Sequence, residues 1–302
     1  MKLIYQDLKH CKKELRRTWH KTEIEMKNLN QKFLAAALLA ASFTLNSCKK
    51  ETIIENIDPV KITSQNEFVD MTYLEIQGIA LSAIGSSSFS FKNDEADALL
   101  NCATITRDTT SNPKSLTIQF TDGCVSNNGK VYSGSILVTY NNSEMRLAGS
   151  EATITFNSLT VNGNAILGSI SIKNYGLNSS GNLYGDIDVT SNVTFINSIG
   201  SIYGTFHYEI ERFAQNTNNN SDVQYTINGS GTGVDANGHV IERLILQDLV
   251  RNTGTGCKKF VSGVMSTKIA EQPVQLLDYG NGACDNIATL TVSGNSQEIT
   301  LE

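Results

Sequence analysis

From about residue 116 to the C-terminus, apolar and polar positions alternate with a period of two. Leu116, Ile118 and Phe120 interleave with Thr117, Gln119 and Thr121, and the run stops at Asp122-Gly123. Ile136, Val138 and Tyr140 repeat the pattern. So do Ile154 with Phe156, residues 166–172, Ile187 with Val189, Phe206 with Tyr208 and Ile210, residues 241–249 and residues 260–269. This period, rich in Thr, Val, Ile, Tyr and Phe, is that of antiparallel strands buried on one face. Asn-Gly pairs at 128–129, 162–163, 228–229, 237–238 and 281–282 punctuate it. Both residues tolerate the positive φ of tight hairpin turns, so all five pairs read as turns. Upstream, Tyr73, Ile76, Ala80 and Ile84 recur at helical spacing, which predicts a short helix over residues 68–84. The expected fold class is all-β: an antiparallel meander forming a sandwich or a curled half-barrel, with a short N-terminal helix.

A different pattern precedes the helix. Lys27 and Lys32 lead into an Ala/Leu-rich run over residues 33–43, too short to span a bilayer, and then Leu45-Asn46-Ser47-Cys48. Basic region, apolar region and small residue before Cys are the order of a bacterial lipoprotein signal, with Cys48 as the acylated first residue of the mature chain. Residues 1–25, which are strongly charged and hold the only tryptophan, Trp19, read as an extension ahead of the true start at Met26. The expected organisation is a signal peptide at 26–47, a lipidated Cys48 with a flexible tether to residue 66, and a β-rich extracytoplasmic domain over 67–302. The expected location is the bacterial outer membrane, lipid-anchored and facing periplasm or cell surface.

Beyond Cys48 the chain has 15 basic and 26 acidic residues, a formal charge of −11. A domain this acidic repels phosphate backbones, which argues against nucleic acid as a partner. Its four cysteines, Cys102, Cys124, Cys257 and Cys284, form two echoing segments. Each runs from Cys through a strand, a Pro-containing turn and a second strand, to an aromatic residue and Asp/Asn-Gly just before the second Cys. Such hairpins bring their cysteines nearly opposite each other, predicting Cys102–Cys124 and Cys257–Cys284 disulfides in an oxidising compartment.

The segments SLTIQFTDGCVSNNGKVYSGSILVTY (residues 115–140) and CKKFVSGVMSTKIAEQPVQLLDYGNGACDNIATLTVSGNSQEITL (residues 257–301) carry a resemblance. They are similar to a family of uncharacterised lipoproteins of Bacteroidetes-type bacteria, in which an aromatic-Gly-Asp/Asn-Gly-x-Cys-Asp-Asn stretch lies near the C-terminus. The likeness covers the two ends of the domain and is loose over residues 141–256. It implies a lipoprotein with a β-fold and supplies no catalytic residue.

Candidate chemistry is sparse. Zinc-module CxxC spacing is absent, and Asp278, Asn281 and Asp285, or Asp122 and Asn127, lack the full calcium-loop register. Turn formation accounts for them, so neither a metal nor a cofactor is expected. His207 lies on a strand facing away from Phe206 and Tyr208, His239 follows a turn, and no Gly-x-Ser-x-Gly occurs. Asp186 with Asp188, and Glu209 with Glu211, share strand faces in the manner glycoside chemistry uses, although alternation assigns them to the polar face. The expected function is therefore non-catalytic: an envelope-attached binding or structural module with an envelope protein or apolar ligand as partner. The alternatives are a carrier of lipid or another apolar ligand, with Ile170 and Phe206 lining its cleft, and a glycan-processing enzyme.

Overall fold

The computed structural model describes residues 58–85, 94–196, 201–214, 223–252 and 259–301, all within one compact unit, Ile57–Glu302. Residues 1–57 lie outside the described residues, and with them the signal sequence, Cys48 and most of the tether. Among the described residues, two helices, α1 (Pro59–Ile84) and α2 (Asp94–Cys102), precede thirteen strands. These are β1 (Thr104–Asp108), β2 (Lys114–Val125), β3 (Val131–Tyr140), β4 (Glu151–Val161), β5 (Asn164–Leu177), β6 (Leu183–Thr194) and β7 (Ser201–Ala214). β8 (Val223–Val234), β9 (Val240–Asn252), β10 (Phe260–Ile269), β11 (Gln275–Asn281), β12 (Ile287–Val292) and β13 (Asn295–Thr300) complete the set. They form one sheet in chain order, every neighbouring pair antiparallel. Among the described residues the meander is therefore a single open sheet, without the second sheet a sandwich needs.

α1 explains the curl. Thirteen consecutive residues, from Val69 to Leu81, are buried. At about 100° per residue such a run samples every direction around the helix, so protein must surround it. The contacts progress along α1 in reverse strand order. Thr63 and Glu67 meet β11, Asp70 meets β9 and β7, Tyr73 meets β4, β5 and β6, Glu75 meets β3, and the Ala83 carbonyl accepts from Arg107 on β1. Thr63 to Ala83 is a rise of roughly 30 Å, whereas β1 to β11 spans roughly 48 Å of sheet. The longer sheet bends around the shorter helix. The inward residues of the alternating strands, including Leu116, Ile136, Ile154, Ile170, Ile187, Ile210 and Ile227, join the α1 side chains in one core.

The helix is longer than residues 68–84. It starts at Pro59 because Asp58 caps it, its carboxylate accepting from the Val60 and Lys61 amides, while proline supplies the first-turn φ. Gly85, in the left-handed conformation, closes the other end. The expected tether to residue 66 is shortened accordingly, since its last eight residues are helix.

Four of the five Asn-Gly pairs lie at or beside strand connections, but Asn228-Gly229 lies inside β8. Gly229, at φ 148°, sits at a register shift against β9, and a Cβ there would stand 2.1 Å from the His207 carbonyl. At Gly231 a Cβ would strike the Phe206 ring. Glycine here lets β7 and β8 approach closely while the sheet turns.

At the opposite edge, Cys102 at the end of α2 is disulfide-bonded to Cys124 on β2, Cα atoms 5.7 Å apart. Cys284 is also disulfide-bonded; its predicted partner Cys257 lies outside the described residues.

Candidate functional site

The inner face offers little space for a ligand. Ile170 is completely buried in the core. Phe206 is half-buried, stacked on Tyr208 at 4.6 Å between ring centres, with the Arg243 guanidinium 5.0 Å from its own. Ile170 thus belongs to the core between sheet and α1, whereas Phe206 packs against that core and also borders an outer groove over β6–β10. The void beside Phe206, bordered by Asn66, Asp70, Tyr73 and Arg243, measures about 40 Å³, room for a water molecule and far too small for an acyl chain.

What the inner face does hold is a polar network that sequence reasoning missed. Arg243 donates from both terminal nitrogens to Asp70, at 2.7 and 2.6 Å, and the Tyr208 hydroxyl donates to the same carboxylate. Glu67, one turn earlier, accepts from the Tyr279 hydroxyl at 2.6 Å, while its other oxygen has no partner among the described residues. Burial, reinforced by the Asp70 charge, pushes the Glu67 carboxyl up to about 7. Farther along α1, Glu75 accepts from the Lys130 ammonium at 2.8 Å and the Tyr132 hydroxyl at 3.0 Å. A signal was present: Asp70 and Glu75 fall within the continuously buried run Val69–Leu81, and Glu67 lies just before it.

The outer face is where open volume and chemistry coincide. Alternation turns Asp188, His207 and Ser230 outward, and they are consecutive cross-strand partners on β6, β7 and β8. His207 Nδ1 lies 2.7 Å from Asp188 Oδ1, and that hydrogen bond raises the imidazole pKa. These three residues, with Thr205, Glu242 and Lys268, line a groove of about 770 Å³ across β6–β10. His239, the other histidine of the domain, lies apart in the β8–β9 turn, its Nδ1 2.9 Å from Asp235, which also accepts from the Asn237 and His239 amides.

A second outer groove, about 530 Å³, lies over β5–β9. Three of the four carboxylates of β6 and β7 meet here, Asp188 lying in the first groove: Asp186 is the cross-strand partner of Glu209, and Glu211 that of Tyr184. Tyr175 and Tyr184 stand side by side at the groove, ring centres 5.4 Å apart and 37% and 39% exposed. The Tyr175 hydroxyl donates to Asp186 at 2.5 Å, which pushes its pKa up to about 12. Asn178 and Asn182 donate to Glu211, and Asn228 to Asp248.

The calcium-loop candidates take turn roles where their side chains are described. Asp278 accepts from the Gly280 amide and Asp285 from the Ile287 amide. Among the described residues, no three His, Cys, Asp or Glu side chains are grouped to hold a metal ion, and no helix is long and apolar enough to cross a membrane. Comparisons of the chain with protein-family models, with curated proteins and with solved structures find no match.

Proposed function

We propose that this chain is a lipid-anchored protein of the bacterial outer membrane, attached through Cys48, whose β-domain is a non-catalytic binding module working through its outer face. The observation that carries this reading is that α1 fills the concave side of the meander, so the ligand-sized volumes lie outside, over β5–β10. The Cys102–Cys124 disulfide suits an exported domain. With Cys48 acylated, the Asp58 cap is only ten positions along the chain from it. Ten extended residues reach roughly 35 Å, which holds the domain close to the headgroups.

The carrier alternative has less support, because Ile170 faces packed protein and a lipid would have to displace α1. For glycoside cleavage, one carboxyl must be kept neutral by an apolar pocket, whereas Glu209 is exposed on the strand surface.

The test pairs anchor and interior. Cys48→Ala is expected to leave the protein either soluble or unprocessed, with the circular dichroism spectrum of its β-domain unchanged. Phospholipids and detergents are expected to leave its melting temperature where it was. Retention of the variant at the membrane at mature length removes the anchor. A lipid-induced rise in melting temperature that Ile170→Ala abolishes moves the function to the interior. Protease shaving of intact cells distinguishes a surface-facing domain from a periplasmic one.

A further inference from the structure

We propose that Tyr184, braced by Tyr175, is the stacking platform of a saccharide-binding groove on the outer face of β5–β9, an assignment that rests on the binding-module reading. A pyranose has a C–H face and a rim of hydroxyls, so its site needs an exposed aromatic ring beside fixed acceptors and donors. The groove has both. Its volume is about 530 Å³, and its two tyrosines are more than a third exposed although each is a large side chain on a strand.

Three of the four carboxylates of the polar rim, all but Glu209, are set for hydroxyls rather than a cationic partner. A guanidinium binds a carboxylate best with both oxygens, but in this groove each hydrogen-bonded carboxylate already has one oxygen engaged by a neutral donor. Tyr175 holds Asp186 Oδ2, two asparagine amides hold Glu211 Oε1, and Asn228 holds Asp248 Oδ1. One oxygen of each remains as a single acceptor in a fixed direction, which is what a sugar hydroxyl requires. Positive charge is also supplied locally, since the Lys173 ammonium lies 5.5 Å from the Tyr175 ring centre. Lipid is disfavoured by the same polar rim.

The experiment is affinity electrophoresis of the full chain in native gels cast with neutral mannan, xylan or mixed-linkage glucan, and separately with poly-lysine. At least one neutral polysaccharide is expected to slow the protein. Tyr184→Ala and Glu211→Gln are each expected to raise the Kd tenfold or more, with melting temperatures close to that of the parent. Tyr184→Phe, which keeps the ring, is expected to bind as the parent does. The proposal is overturned if no neutral polysaccharide slows the chain, or if Tyr184→Ala is slowed as much as the parent. Retardation by poly-lysine alone, lost in Tyr184→Ala, overturns the saccharide while leaving a binding module. If every probe ignores substitutions in both outer grooves, the binding-module reading falls with it.

Discussion

Asp70 on α1 and Arg243 on β9 form a bidentate ion pair, N–O distances 2.7 and 2.6 Å, inside the curl of the sheet. They are 173 residues apart in sequence, so the pair fixes which part of the helix faces which strand. Both side chains are more than nine-tenths buried. A buried pair of this kind adds little net stability, because desolvation offsets the attraction, but removing one partner strands the other.

The first prediction follows. Arg243→Met is expected to cost about 3–5 kcal/mol by leaving the Asp70 charge uncompensated. Asp70→Leu combined with Arg243→Met is expected to recover most of that loss. Urea unfolding of the two variants checks it. A double variant no more stable than the single one would show that the pair is not the coupled unit.

The second concerns pH. Glu67 is fully buried, and burial pushes its carboxyl from the ordinary 4.5 up to about 7. Between those values the unfolded chain has released this proton and the folded chain has kept it, so stability falls as pH rises through the interval. The contribution is fully present below about 4.5 and lost by about 7, on the order of 3 kcal/mol in all. Glu67→Gln, neutral throughout, is expected to flatten that part of the profile. Melting temperature measured from pH 4 to 8 in both proteins provides the check, and parallel slopes would exclude Glu67 as the cause.

Strands were legible in the sequence because a half-buried strand writes its two faces into alternate positions, as Leu116, Ile118 and Phe120 do. The Cys102–Cys124 link was legible because the two cysteines bracket one local strand–turn–strand segment, although Cys102 closes α2 and Cys124 has its strand partner, Tyr132, on β3. α1 was only half legible. Its central run, Val69 to Leu81, is buried on every side and writes no polar face into the sequence, while its start, with Lys61 exposed and Ser64 and Gln65 half-buried, was marked best by the Asp58-Pro59 cap. Asn228-Gly229 was misread because the same two residues serve a tight turn or a bend inside a strand. The outer grooves depend on which strands are neighbours. Asp186 and Glu209 are 23 positions apart, and nothing local to either announces that they face each other.

Disulfide connectivity gives a third prediction. Cys102 and Cys124 are 22 positions apart, and closing such a loop is worth about 3 kcal/mol in the chain-entropy treatment. Non-reducing peptide mapping is expected to show Cys102–Cys124 and, completing the pairing of Cys284, Cys257–Cys284. A Cys102→Ala/Cys124→Ala variant is expected to unfold at lower urea concentration than the parent. Detection of Cys102 joined to Cys284 would refute the local pairing.

The last prediction separates core from cleft. Ile170 is wholly buried on β5, between Ile154 on β4 and Val189 on β6 in register. Ile170→Ala removes three carbons from close-packed surroundings, so a loss of about 2–4 kcal/mol is expected from transfer and cavity together. Because the site is core, the loss should be the same with or without added lipid. Phe206→Ala should also destabilise, since its ring covers Gly231 and packs against Tyr208 and Arg243. Thermal unfolding of both variants with and without phospholipid and detergent reads the difference. Binding to the folded state alone would appear as a rise of RT ln(1 + [L]/Kd) in the parent that the variants lack. Equal losses under every condition would place both residues in the packing that holds α1 within the sheet.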